Sequence, residues 1–308
     1  MTDLKPLPII CGPTAVGKTD LAIRLAEYFP FEVVSADSRQ VYRLMNIGTA
    51  KPSVAEQSLV KHHLIDVVWP NEEYNASLFA DQAQQAIQEI GTRGHMPLLV
   101  GGTGLYIRAL TEGLIQAPGA DPEVRSRLNL WADEAGSELL HQRLQGVDPR
   151  AAERLHQNDR VRIIRALEVF EQTGRPLSEF QAEHQFSDRP YRTLKLGLML
   201  ERDLLYQRID SRAEQMFATG LLEETESLLK AGYDPELKSL RTIGYRQAIQ
   251  LLNGDCSREE ALEDLQRTTR RYARQQITWL KQDKSIKWVD SFADFDKIQK
   301  FIADFYAS

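Results

Sequence analysis

The chain has 308 residues, 42% hydrophobic and 27% charged, with a formal net charge of −6. This composition excludes long disorder, and no apolar run approaches the ~20 residues that span a bilayer. An acidic balance argues against a general nucleic-acid binder, although a local basic face can coexist with it.

The first predicted strand is Ile9-Ile10-Cys11. It runs into Gly12-Pro13-Thr14-Ala15-Val16-Gly17-Lys18-Thr19, and an amphipathic helix follows over Lys18–Tyr28. Strand, glycine loop and helix are the context of a nucleotide-binding, ATP-type P-loop. Gly12 and Gly17 permit the tight turn that presents backbone N–H groups to phosphate oxygens. The helix N-terminus adds positive potential, Lys18 brings a cation, and the Thr19 hydroxyl can ligate Mg²⁺. The motif identifies a phosphorylated ligand without saying which one. A second short strand, Phe31–Ser35, ends at Asp37-Ser38, and Gln40-Val41-Tyr42 reads as one or two helical turns.

Apolar residues at helical spacing predict a helix over Asn75–Thr92. Pro97–Val100 then reads as a buried parallel strand that ends at Gly101-Gly102-Thr103-Gly104-Leu105-Tyr106, before another helix. Alternating strand and helix predict a doubly wound parallel sheet, with ligands beyond the carboxyl ends of its strands. Loops 12–19, 37–40 and 101–106 lie there. The alternation stops near 115. Residues 115–192 read as a helical insertion whose cationic side chains are arginines, with no lysine. A strand over Leu194–Leu200 resumes the core. Helices follow over Leu204–Gly220 and Leu221–Ala231, another opens near Leu240, and a long one is capped by Ser257. That long helix carries Arg267, Arg270, Arg271 and Arg274 on one face. Ile286–Val289 is the last predicted strand, and a terminal helix completes the chain.

Several residues admit two readings. Asp37 can serve chemistry as a base or hydrogen-bond acceptor, or it can cap the turn that follows. Gly101–Gly104 can be a tight turn or a site of close ligand approach. Arg212 can be a surface arginine or a phosphate clamp. Cys11 and Cys256 make no disulfide framework, and Cys11 reads as a small core residue. Met1–Pro8 lacks the pattern of a signal peptide, so a reduced, cytoplasmic protein is expected. The strand Leu98–Val100 ends without the Walker-B carboxylate of ATPases and GTPases. Two classes remain open: a kinase, and a transferase whose substrate carries a diphosphate leaving group.

Taken together, the motifs resemble those of the tRNA dimethylallyltransferases, also called tRNA isopentenyltransferases, over nearly the whole chain. Beside the P-loop, the resemblance rests on Asp37-Ser38-x-Gln40-Val41-Tyr42, Ile47-Gly48-Thr49-Ala50-Lys51-Pro52 and Gly101-Gly102-Thr103-Gly104-Leu105-Tyr106. It continues through Asp121-Pro122-x-x-Arg125, Arg162-x-x-Arg165-Ala166-Leu167-Glu168-Val169, Gly244-Tyr245-Arg246 and Arg274-Gln275-x-x-Thr278-Trp279. The chain is similar to the short bacterial form, without the C-terminal zinc finger of some eukaryotic members.

The resemblance implies an α/β, P-loop NTPase-like parallel sheet flanked by helices, with an inserted all-helical domain. The catalytic core would be 1–114 and 193–308, and 115–192 would contact the tRNA anticodon stem-loop. Dimethylallyl diphosphate would donate its prenyl group to N6 of the adenosine 3′ of the anticodon, in tRNAs reading U-initial codons. N6-isopentenyladenosine would form and pyrophosphate would leave. Gly12, Pro13, Thr14, Ala15, Val16, Gly17, Lys18 and Thr19 would hold the diphosphate, with Mg²⁺ on Thr19. Asp37, Thr103 and Arg212 would be catalytic, Asp37 accepting the N6–H bond and Arg212 contacting pyrophosphate. Asp37, Ser38, Arg39, Gln40, Thr103, Arg125, Val161, Arg162, Ile163, Ile164, Arg165, Arg241, Thr242, Ile243, Gly244, Tyr245 and Arg246 would contact the tRNA. A cytoplasmic monomer with no membrane partner is expected.

Overall fold

The computed structural model describes residues 4–184, 189–290 and 292–307. Met1–Asp3 of the N-terminal stretch and residues 185–188 of the expected insertion lie outside them. The chain divides into two compact units, Met1–Thr111 with Arg189–Ser308, and Glu112–Asp188.

The first unit begins with β1 (Lys5–Cys11), α1 (Lys18–Ala26) and β2 (Phe31–Ser35). It continues through α2 (Val54–Leu59), β3 (His62–His63), α3 (Ala76–Thr92), β4 (Met96–Gly101) and α4 (Gly104–Glu112). The second unit holds α5 (Pro122–Val147), α6 (Pro149–Arg154), α7 (Arg160–Thr173) and α8 (Leu177–His184). The first unit then resumes with β5 (Tyr191–Met199), α9 (Arg202–Ala218), α10 (Leu221–Lys230) and α11 (Tyr245–Leu252). It closes with α12 (Arg258–Leu280), β6 (Lys287–Asp290) and α13 (Phe295–Ala307).

The strands form one sheet in the order β3-β2-β4-β1-β5-β6, and every pairing is parallel. Burial on both faces explains the unbroken apolar runs. In β1, Leu7, Ile9 and Cys11 enter one core while Ile10 enters the other. Leu99 and Val34 join the first core, and Leu98, Val100 and Val33 the second, as a period of two requires. Cys11 is a core residue whose thiol burial pushes up to about 12, and its Sγ donates to the Leu196 carbonyl. The chain runs from β1 to β2 on one side and from β4 to β5 on the other. The topological switch therefore lies between β1 and β4, where a doubly wound sheet opens its ligand crevice.

Helix starts follow local chemistry. The Asn75 side chain accepts from Ser77 N–H and Leu78 N–H, and Ser257 and Glu260 form a capping box at α12. Three expectations differ from the structure. Residues 40–42 form turns, tied down by a bridge between Tyr42 and Val68. The helix expected from Leu240 begins at Tyr245, after turns. The strand expected at Leu194 starts at Tyr191, because Tyr191 and Arg192 pair with Lys5 and Pro6.

In the second unit, Asp121 caps α5 ahead of Pro122, and α5 is broken at Gly136 (φ 84°, ψ 168°). Leu128, Leu140, Leu144, Ile163, Ile164 and Leu167 build its core. At its edge, Glu168 is fully buried and accepts from Asp121 N–H (2.7 Å), Arg125 (2.8 Å) and Arg165 (2.9 Å). Burial alone would raise this carboxyl. The two guanidinium bonds outweigh it and hold it below its ordinary value.

Candidate active site

The loops after β1, β2 and β4 gather at the switch point. Gly12 has φ 154°, and a Cβ there would lie 2.9 Å from the Leu198 carbonyl oxygen, so the first loop residue must be glycine. The Lys18 ammonium donates to the carbonyls of Gly12 (3.1 Å) and Pro13 (2.8 Å). Burial lowers it from 10.5 to about 8; the Asp37 carboxylate opposes that shift, and the Arg212 guanidinium adds to it. Arg212, on α9, makes no hydrogen bond or ion pair with another described residue. Burial lowers its pKa, and neighbouring Arg208 lowers it further. Two half-buried cations without carboxylate partners are a prepared anion site.

The second loop faces this pair. One carboxylate oxygen of Asp37 accepts from Arg39 N–H (2.8 Å) and Gln40 N–H (3.4 Å), so Asp37 does cap its own turn. Its other oxygen has no protein partner among the described residues. Asp37 lines the same cavity as Lys18 and Arg212, so capping and chemistry coexist in one side chain. Gln40 accepts from the Ser35 hydroxyl and donates to the Ala50 carbonyl, holding 46–51 against this loop.

The third loop shows why its glycines are needed. A Cβ on Gly102 would lie 2.3 Å from Gln276 Nε2, and one on Gly104 would lie 2.0 Å from the Trp279 ring. Close packing against α12 therefore accounts for Gly102 and Gly104, and close approach of the Ala36 backbone accounts for Gly101. The Thr103 hydroxyl, expected to face an acceptor, accepts from Ser38 N–H at 3.1 Å. It fixes the Asp37 loop and is not on the cavity wall.

The cavity has a volume of about 980 Å³ and is lined by first-unit residues. Thr14–Thr19 form one wall; Gly12 and Pro13 lie behind it and serve Lys18 through their carbonyls. Arg39, Gln40, Arg241, Thr242 and Ile243 also line the cavity. Ile209, Arg212, Ala213 and Met216 line it from one face of α9. Tyr272 also lines it, with its hydroxyl pushed up to about 12 by burial and then by Asp37.

The family model described as IPP transferase matches residues 40–283. The tRNA dimethylallyltransferase of Geobacter sulfurreducens is 54% identical over 300 residues, covering 97% of this chain and 96% of that protein. The chain belongs to the tRNA dimethylallyltransferase (IPP transferase) family. The solved tRNA isopentenylpyrophosphate transferase of Bacillus halodurans superposes with a TM-score of 0.73 at 39% identity, covering 98% of this chain and 96% of that one. A eukaryotic dimethylallyltransferase acting on tRNA superposes at 0.82 and 28% identity, over 98% of this chain and 80% of that one.

Not every residue that the family resemblance points to lies at the cavity. Arg125, Val161, Arg162 and Arg165 belong to the second unit, where Val161 and Arg162 are exposed and Arg125 and Arg165 hold Glu168. The side chains of Ile163 and Ile164 are buried in that unit's core and are not available to a surface ligand. Tyr245 is also buried. Its hydroxyl donates to Glu224 at 2.6 Å, and Gly244 packs on Gly48. Arg246 pairs with Asp264 at 3.3 Å. On the long helix Arg267 pairs with Asp264 and Arg270 with Asp210, while Arg271 and Arg274 point outward without a carboxylate among the described residues.

Two residues escape a reading of the sequence. Glu224 accepts from the N–H groups of Asn46, Ile47 and Gly48, at 2.9 to 3.2 Å, as well as from Tyr245. Gln276 bonds both the first and third loops. The first ties the Ile47-Gly48 motif to the Gly244-Tyr245 motif. That tie gives both motifs a structural role.

Proposed function

We propose that this protein transfers the dimethylallyl group of dimethylallyl diphosphate to N6 of an adenosine in a tRNA anticodon loop, 3′ of the anticodon. The observation that carries the reading is one cavity that holds the cations Lys18 and Arg212 and the carboxylate Asp37. A leaving diphosphate needs the first two, and an amine losing a proton needs the third. The amine nitrogen attacks C1 of the donor, and a C–N bond forms as the C1–O bond breaks. The electron pair leaves with pyrophosphate, and the N6 proton passes to Asp37. The adenine amine is a poor nucleophile because its lone pair is delocalised, so positioning carries much of the rate. β4, beside β1, ends in Val100-Gly101 with no carboxylate to serve hydrolysis, which favours transfer of carbon over phosphate chemistry.

No group of three or more His, Cys, Asp or Glu side chains that could hold a metal exists among the described residues. The Thr19 hydroxyl lines the cavity beside Lys18. A hydroxyl with phosphate oxygens and water suits Mg²⁺, which retains water and seldom uses an all-protein cage. Bound there, Mg²⁺ would neutralise charge on the leaving diphosphate. Among the described residues no helix is long and apolar enough to cross a membrane. A cytoplasmic monomer acting on tRNAs that read U-initial codons completes the reading, with Arg39, Gln40 and Arg241 beside the flipped-out base. Asp37→Ala should lower the single-turnover transfer rate about 10²-fold, with pyrophosphate affinity unchanged. A variant that transfers at the wild-type rate would remove Asp37 from the chemistry.

A further inference from the structure

Gln276 sits on α12 with 7% of its surface exposed, under two loops that are far from it in sequence. Its amide oxygen accepts from Thr14 N–H at 2.9 Å, and its amide nitrogen donates to the Gly102 carbonyl at 3.0 Å. Thr14 belongs to the phosphate loop. Gly102 precedes Thr103, whose hydroxyl holds Ser38 N–H, next to Asp37. The bonds thus form one line, Thr14 to Gln276 to Gly102–Thr103 to Ser38–Asp37. One terminus must accept from one backbone and donate to another without charge, which a primary amide does. A Cβ at Gly102 would lie 2.3 Å from that amide and 3.0 Å from the Gly12 carbonyl oxygen. The glycine therefore keeps donor loop, amide and acceptor loop in contact. Three residues on, Trp279 packs on Gly104, so α12 grips the third loop twice.

We propose that Gln276 is a positioning residue that fixes the separation of the donor cradle and the Asp37 loop, so that bound diphosphate and acceptor amine meet in register. The proposal rests on the reading of Asp37 as the acceptor-facing carboxylate. Neither half-site needs Gln276 to bind its own ligand: Lys18 and Arg212 take the diphosphate without it. Its loss therefore falls on the transfer step, where a displacement of about 1 Å is worth about 10²-fold.

The test compares Gln276→Met, which keeps the length and loses both bonds, with Gln276→Glu, which keeps the oxygen for Thr14 and loses the donor to Gly102. Single-turnover prenyl transfer to an anticodon stem-loop, pyrophosphate dissociation constants and melting temperatures are measured for each, alone and combined with Asp37→Ala. Both single variants are expected to lose about 10- to 10²-fold in rate, with pyrophosphate affinity within about threefold of wild type. In the Asp37→Ala background the same substitutions are expected to cost less than about threefold, because the group being placed is gone. Wild-type rates in both single variants would overturn the proposal. So would rate and pyrophosphate affinity falling in proportion, or full additivity with Asp37→Ala, either of which would make Gln276 a brace of the fold. A wild-type protein that binds pyrophosphate and transfers no prenyl group would instead remove the functional reading, and the proposal with it.

Discussion

Lys18 gives the donor site a pH dependence that can be calculated. Burial holds its ammonium at about 8 in place of 10.5, and the Arg212 charge contributes to that lowering. A diphosphate bound between these cations supplies the missing countercharge and returns Lys18 to at least its ordinary value. That return is worth about 3 kcal/mol between the two protonation states. The sign follows from which form binds. The charged form does, so affinity is complete below pH 8 and is lost as pH rises through 8. Between pH 8 and pH 10 the dissociation constant for pyrophosphate should rise about five- to sevenfold per pH unit, about 40-fold in total. Calorimetry in two buffers of different ionisation enthalpy reads the same event as proton uptake, about 0.9 proton per ligand at pH 9 and about 0.1 at pH 7. Lys18→Met should bind more weakly at pH 7 and show no such slope. Affinity independent of pH from 7 to 10, or no proton uptake at pH 9, would refute the placement of Lys18 against the diphosphate.

Two further predictions concern the scaffold. Gly104→Ala places a Cβ 2.0 Å from the Trp279 ring and should destabilise the fold by about 1–3 kcal/mol in urea titrations, whereas a change under ~0.5 kcal/mol would mean that α12 yields freely. Glu224→Ala leaves three backbone N–H groups and the Tyr245 hydroxyl without their acceptor, so amide exchange at 46–48 should accelerate at least about tenfold while exchange in β1 stays unchanged.

The parallel sheet, the phosphate loop and the carboxyl-end placement of Asp37 are legible in the sequence because each is local. A glycine loop between strand and helix, and a polar residue just past an apolar run, are read within about ten residues. β3 escaped because a two-residue edge strand has no periodicity to show. Gln276 and Glu224 escaped for a different reason. The partners of Gln276 lie 262 and 174 residues away and the amides that Glu224 holds lie 176 to 178 away, and a glutamine or glutamate on a helix looks like any solvated face until the fold closes. The glycines of 101–104 carried the only trace of that closure, since their neighbours include an amide and an indole from α12. In the 161–165 motif, read as RNA-facing, helical spacing turns the side chains of Ile163 and Ile164 into the core while Arg162 and Val161 turn out, a division that the local sequence does not announce.

The central claim is that the phosphate loop grips a leaving pyrophosphate while a five-carbon group moves. Incubating the protein and an anticodon stem-loop with dimethylallyl diphosphate labelled in the prenyl group, and separately with γ-labelled ATP, tests it most directly. The label is predicted to appear on the adenine N6 from the first donor and nowhere on the RNA from the second. ATP turnover with no prenylated adenosine would contradict it.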